Sequence, residues 1–459
     1  MYSEKLKELR VVDGFKFRFH RIMKNEIQRW ACTNKRCNAF LKFDTHGVEI
    51  DNNLEHNNHA ADEKRSLVRQ KLSNSVKRKA VEQLCERPSK IIHSEITSDD
   101  LNILDSKDIN LIRKNIHTAR MSKYPILPKT LLEFYAMVPD VVDKLHTNGG
   151  EKWIIDIDNN KGVVCFSTIK NLNFFKKCDA VLMDGTFSSC PSLFNQLFVV
   201  HGVKNNIYVP LFFCLLMGKS VTDYCTALEF LKQRSPLLPT TFHIDFEQSI
   251  HSAVRLVWPM SKIKGCRFHL GQAWYRKMQS LGLAKVYSTE GEKGNFLKTF
   301  FGLLFLSPNE VDDCFTDDLM STMPADCTAI NDFVDYVFLN YINTDSAMFP
   351  PEIWAEFSSS ISRTTNACES FHAKLNGMFY RSHPNIYQLI EALNEVQTSS
   401  YTKMNCTAVR NLKRAKQTVD KEEFISKKML QYSSGEINRI AFIQDYVSNL
   451  LSQKKMPNV

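Results

Sequence analysis

A chain of 459 residues, 43% hydrophobic and 24% charged, is long enough for two or three domains and too apolar for bulk disorder. It has no apolar run of the roughly 20 residues that span a bilayer, and its opening MYSEKLKELR lacks the apolar stretch of a secretory signal, which argues against the membrane-spanning and secreted classes. Thirteen scattered cysteines point to a reducing compartment, and a net charge of +9 suits either a polyanion partner or a solvated lysine-rich surface.

Residues 13–62 read as a first unit. Alternation at Phe15, Phe17 and Phe19 predicts one strand and Gln28–Cys32 a second, with the polar stretch His20–Asn25 turning between them. Cys32 and Cys37 are followed about 20 residues on by His56 and His59, the order and ligand types of a zinc finger. Two thiolates and two imidazoles close a tetrahedron on Zn2+, and a unit with so thin a core needs such a staple. Phe19, Trp30 and the segment WACTNKRC around Cys32 and Cys37 resemble a FLYWCH-type zinc finger, a module linked to DNA and protein binding. That family usually carries His-x-His where this chain has HNNH, so the histidine geometry stays open, with His46 a weak substitute.

From Asp62 to about Tyr124 the pattern is helical and charged. Apolar residues at Leu67, Val68, Leu72, Val76, Ala80, Val81 and Leu84 keep a period near 3.6, and Pro88 is expected to end this helix. Its other face carries Arg65, Arg69, Lys71, Lys77, Arg78 and Lys79, which either lies along a phosphate backbone or is simply a solvated face. Helical pieces follow at Ser98–Leu104 and Ser106–Arg120, and then Pro125, Pro128 and the polar Thr147–Gly150 punctuate the chain.

The central region opens with strands at Trp153–Ile157 and Val163–Phe166. After these come Ala180–Asp184, Gln196–Val203 and Ile207–Met217, a helix from Val221 to about Lys232, and the strand Thr240–Asp245. The helix Phe246–Val257, the strand Lys262–Phe268 and the helix Leu270–Leu281 complete the run. The first core strand is expected to end on Asp184, with Gly185 and Thr186 turning the chain, and the fourth to end on Asp245. Counted from Ala180, three strands, helix, strand, helix, strand, helix is the order of a ribonuclease-H-like fold, in which those two strands are neighbours. Ser288–Phe357, without strand signals, reads as a helical insertion, and RTTNACESFHAKLNGMF as a helix carrying Glu369. Another helix follows at Ile386–Val396, and the tail from Thr402 is basic, helical and frayed at its ends.

Asp184, Asp245 and Glu369, converging at strand ends and a helix, suit two divalent Mg2+ or Mn2+ ions, which prefer carboxylate oxygens. Ions about 3.5–4 Å apart activate water and stabilise the leaving oxygen of a phosphodiester. The contexts MDGTF, FHIDFE, CRFH, RTTNACESFH and HPNIYQLIEAL resemble the Mutator-like-element (MULE) transposases over roughly residues 120–400. The resemblance implies an Asp-Asp-Glu triad of Asp184, Asp245 and Glu369 that cuts and joins double-stranded DNA at terminal inverted repeats and target sites. It also implies a nuclear location and, because two ends are brought together, a homodimer. Cys266 and His269 match the family's Cys-x-x-His signature, open between a metal role, a structural role and a hydrogen bond near the scissile phosphate. His372, three residues after Glu369, contacts DNA, orients the carboxylate or is a surface histidine, and Arg363 and Asn366 are candidate phosphate contacts.

The expected protein is thus α/β, a ribonuclease-H-like catalytic core with a helical insertion, preceded by a small zinc-stapled β-rich finger and a helical linker region. The domains fall at 1–62 (finger), 63–150 (basic helical region), 151–400 (core, inserted at about 288–357) and 401–459 (basic tail). The rival reading is a domesticated, catalytically silent DNA-binding regulator on the same fold.

Overall fold

The computed structural model describes residue 2 and residues 7–451, apart from 85, 143–144, 206, 237–240, 326, 344, 359–365 and 407–415. The chain divides into two compact units, Met1–Leu127 with Gly377–Gln388, and Pro128–Asn376 with Leu389–Val459.

The first unit begins with strands β1 (Leu9–Val12), β2 (Phe15–Ile22), β3 (Gln28–Cys32), β4 (Phe40–Phe43) and β5 (Glu49–Asn53), paired antiparallel in chain order. Pairing of Phe17 with Cys32 and of Trp30 with Leu41 stacks the buried residues on one face. β2 runs on to Ile22 instead of turning at His20. A register shift between Phe19 and Arg21 carries it through, and the reversal comes at Lys24–Glu26, where Asn25 and Glu26 take positive φ.

The helix Lys64–Glu82 then packs Leu72, Val76 and Ala80 against Ile91, Ile92, Ile112 and Ile116. Pro88 does not end that helix; it occupies the first turn of a further helix, Pro88–Glu95, where its missing N–H costs nothing. Capping boxes at Thr97 and Asp105 start the helices Ser98–Leu101 and Ser106–Met121. Arg120, 1% exposed, donates to the carbonyls of Ala80, Gln83 and Glu86 and so satisfies the end of the first helix and the turn after it.

The second unit holds β6 (Ile154–Asp158), β7 (Val163–Ser167), β8 (Ala180–Thr186), β9 (Gln196–Lys204), β10 (Ile207–Leu216), β11 (Thr241–Ile244) and β12 (Lys262–Gly265). They form one sheet in the order β12-β11-β8-β9-β10-β7-β6, parallel from β8 to β12 and antiparallel from β8 to β6. Val181, Leu182 and Met183 are all buried, because both faces of the sheet are covered. On one face Val181, Met183, Phe198 and Val200 pack with Tyr224, Leu228, Ile250 and Val254 from the helices Val221–Arg234 and Gln248–Val257. On the other, His201 and Phe213 meet Phe371 of the helix Asn366–Gly377, and Trp153 and Asn171 hydrogen-bond Asn394 and Gln397 of the helix Ile386–Cys406.

β8 does not stop at Asp184. It continues to Thr186, with Asp184 paired to Val199 and Gly185 to Phe198. Gly185 is required there by space, since a Cβ would lie 2.5 Å from the Gln196 Oε1, and Gln196 is fixed by donating to the Gly218 carbonyl and the Tyr224 hydroxyl. The expected insertion holds helices and no strand among its described residues, and its Phe300, Phe333 and Trp354 share a core with Trp274 of the preceding helix Arg267–Ser280. The basic tail is helical, as expected, among its described residues, and it joins that core. Its helices Lys416–Ser433 and Arg439–Leu451 bury Ile425, Phe442 and Ile443 in that core, and Ile443 leaves no room for a Cβ at Gly302, which would lie 2.6 Å from the Ile443 Cβ.

Candidate functional site

The register of the parallel strands gathers the first group of polar side chains. Val181 pairs with Phe242 and Leu182 with His243, so two residues on Asp184 faces Asp245 at the same end of the sheet. The next strand continues the logic: Ile244 pairs with Gly265, and the Cys266 N–H donates to the Ile244 carbonyl at 3.1 Å. Cys266 is the N-cap of the helix Arg267–Ser280, whose first turn holds His269. His251 fixes the end of β11 through Nε2 and the Asp245 carbonyl, 2.8 Å apart.

Glu369 and His372 enter from the helix Asn366–Gly377, three residues apart and so on one face. His269 lies between two carboxylates, its Nδ1 against Asp245 Oδ1 and its Nε2 3.3 Å from Glu369 Oε1. His372 Nδ1 is 3.3 Å from Asp184 Oδ2, and the Gly185 N–H donates to Asp184 Oδ1 at 2.8 Å. Asp184, Asp245, Glu369, Cys266, His269 and His372 therefore form one constellation. Arg363 lies outside the described residues, as does the side chain of Asn366.

Charge accounts for the state of each group. Burial, then the neighbouring charge of Asp245, pushes the Asp184 carboxyl up to about 7. Burial also raises Glu369, and Asp245 adds to it. Burial alone would lower His269, but Asp245 and Cys266 outweigh it and hold the imidazole up at about 11. Burial takes His372 down to about 4. Asp184 and Glu369, both held towards their neutral forms, lie with Asp245 in a set that suits a cation, and in this state the His269 imidazolium supplies one positive charge.

A second group lies in the five-stranded unit. Cys32, Cys37, His56 and His59 bring one ligand atom each within 4.8 Å of one another. Cys32 Sγ is 3.5 Å from His59 Nε2, Cys37 Sγ is 3.4 Å from His56 Nδ1, and those two nitrogens are 3.4 Å apart. Strand pairing sets both cysteines, Cys32 at the end of β3 and Cys37 in the turn before β4. Phe15 stacks on His56 with ring centroids 3.5 Å apart, and the Ala60 carbonyl, 3.3 Å from His59 Nδ1, leaves Nε2 facing the sulfurs. His46 sits in the turn before β5 and takes no part in this group. Burial works to raise Cys37, but hydrogen bonds from Ala39 and His59 outweigh it and bring the thiol down to about 7.

The basic helix divides. Arg65 pairs with Asp105 and Asp108, Arg69 with Asp108 at 2.9 Å, and Lys79 with Glu95 at 3.0 Å. Arg78 covers the ring of Tyr2, while Lys71 and Lys77 make no ion pair among the described residues. Spacing along the sequence did not reveal those acidic partners, nor the approach of Asp245 to Cys266 and His269. The pairing of β11 with β12 sets that approach, and no local motif encodes it.

The family described as the MULE transposase domain matches residues 180–273, from the start of β8 into the Arg267–Ser280 helix. The match takes in Asp184, Asp245, Cys266 and His269 and supports a transposase-type role for this part of the chain, with the DNA binding and divalent-metal use that such a domain implies. No curated protein matches the chain. Among the described residues no helix is long and apolar enough to cross a membrane.

Proposed function

We propose that this chain is a DNA transposase whose Asp184, Asp245 and Glu369 hold divalent magnesium or manganese for cleavage and joining of DNA at transposon ends. The observation that carries the reading is the meeting of these three carboxylates, from the ends of two adjacent parallel strands and a distant helix, around His269 and His372. The strand order β12-β11-β8-β9-β10, with its parallel and antiparallel halves, supports a ribonuclease-H-like core beneath them.

The donor set fits hard divalent ions: all three carboxylates crowd one place, and Asp184 stays protonated up to about 7 without a cation to relieve it. When bound, such ions supply the positive charge that activates water and stabilises the leaving oxygen of a phosphodiester. The protein's own groups do the positioning. The Gly185 N–H fixes one oxygen of Asp184 and His372 contacts the other. His269 ties Asp245 to Glu369 and so holds the helix carboxylate at the sheet end. Cys32, Cys37, His56 and His59 would hold a structural Zn2+ in a FLYWCH-like finger, and Lys71, Lys77 and Arg78 would meet phosphates. The chain would act in the nucleus, as a homodimer on two DNA ends.

The test is incubation of the full-length protein with a duplex carrying the terminal repeats that flank its coding sequence, with Mg2+ or Mn2+. Metal-dependent cuts leaving a 3′-hydroxyl at the repeat end, absent with Glu369→Gln, are the expected result. Tight binding of the repeat without any cut would contradict the enzymatic reading and favour a silent DNA-binding regulator.

A further inference from the structure

The polar set at the end of β11 contains a donor group of a different chemistry from the carboxylate triad. Asp245, Cys266 and His269 bring a carboxylate oxygen, a thiol sulfur and an imidazole nitrogen within 4.8 Å of one another. The backbone imposes this grouping, because the Ile244–Gly265 pairing and the bond from the Cys266 N–H place Cys266 beside the end of β11. Magnesium and manganese bind oxygen and gain little from sulfur. Zinc accepts all three donor types and tolerates three protein ligands with a fourth position open.

Two further features suit a metal. His269 Nε2 is 3.3 Å from Glu369 Oε1, the arrangement in which a carboxylate orients an imidazole through one nitrogen and leaves the other for the ion. Cys266 is 1% exposed and occupies the N-cap of a helix of 14 residues, so its sulfur is held in place beside Asp245 and His269.

We propose that Asp245, Cys266 and His269 form a zinc-class metal site that shares Asp245 with the carboxylate triad. Zinc held there draws on Asp245 and engages Glu369 through His269, so it opposes magnesium at the neighbouring carboxylates. Zinc binding follows from the donor set alone; the antagonism rests on the proposed catalytic reading.

The experiment measures zinc bound per full-length chain by elemental analysis after equilibration with zinc chloride and removal of free metal. Cys266→Ser and His269→Gln should each bind one zinc fewer than the wild type, with unchanged far-ultraviolet circular dichroism. With cobalt(II) as probe, Cys266→Ser should lose about a third of the sulfur-to-cobalt absorption, since one thiolate of three is removed and Cys32 and Cys37 remain. Equal zinc in the wild type and in both folded variants would overturn the proposal. A zinc lost from the variants of a protein that never cuts DNA would leave the site standing and remove the transposase reading. Metal-dependent cutting by a protein whose variants bind as much zinc as the wild type would do the reverse.

Discussion

In the five-stranded unit, the apolar side chains buried beside Cys32 and Cys37 are Phe17, Trp30, Ala39, Leu41 and Phe43. The Asp184–Asp245 centre stands at the end of a seven-stranded sheet with both faces covered and its interior strands almost wholly buried. In the proposed reading, zinc on Cys32, Cys37, His56 and His59 is part of what holds the first region's strands together. The Asp184–Asp245 centre is carried by a scaffold that is complete without it. Ligand loss should therefore unfold one region and leave the other folded but inert.

The largest effect is expected from metal removal. Structural zinc sites carry an apparent binding free energy of about 10–16 kcal/mol, far more than so small a core supplies. Chelator, or Cys32→Ser, should abolish hydrogen-exchange protection in β1–β5 while β8–β11 stay protected. Protection of β2 and β3 that survives chelation would show that the cluster is not a staple.

Next comes a residue of the larger unit far from any ligand. Phe442 is fully buried in the helical core, and Phe442→Ala should cost about 3–5 kcal/mol, read from denaturant unfolding. A loss under about 1 kcal/mol would show that the tail helices are not part of the helical core.

Acid acts on the larger unit through its buried histidines. Burial, with His372 and Lys403 nearby, takes His201 down to about 3, so the native state leaves it neutral where the unfolded chain protonates it. The unfolded state then binds more protons, and stability falls as pH drops from 6.5 towards 3. One such proton contributes a slope of about 1.4 kcal/mol per pH unit, which His201→Gln should remove from the stability profile of the larger unit. His251 and His372, both held down to about 4 by burial, steepen the same window.

The smallest effect concerns the basic helix. Lys71→Gln with Lys77→Gln should weaken DNA binding alike for all sequences and flatten its salt dependence by about one unit of slope per lost phosphate contact. Arg65→Gln should instead lower the melting temperature of its unit, because Arg65 is committed to Asp105 and Asp108. A flattened salt slope from Arg65→Gln alone would show that DNA draws Arg65 away from those carboxylates.

The strong apolar runs were legible in the sequence: β8, β9 and β10 and the helices Val221–Arg234 and Gln248–Val257 fall where periodicity predicts them, while the neighbouring of the strands before Asp184 and Asp245 was expected only from reading the element order as ribonuclease-H-like. What escaped has specific physical causes. β1 and β4 have four residues each, and β5 is polar and mostly exposed, so none shows a clear alternation. Asp184-Gly185 reads as a turn, yet the glycine serves close packing against Gln196 inside a strand. Pro88 is a stop signal and equally a start signal, and only the buried Ile91 and Ile92 decide which. The helix Ile169–Phe175 is two turns long, too short for periodicity to separate it from its neighbours. The tail's place in the helical core depends on contacts with residues more than 100 positions away, such as Tyr432 with Glu310, which no local pattern records.

The most direct measurement compares binding and cleavage by Asp184→Asn, which keeps the shape of a side chain only 12% exposed and removes its charge. On the same terminal-repeat duplex and with Mg2+ present, the variant should bind DNA as the wild type does and leave it uncut. Wild-type cleavage by Asp184→Asn would contradict the metal-holding role of the carboxylate centre.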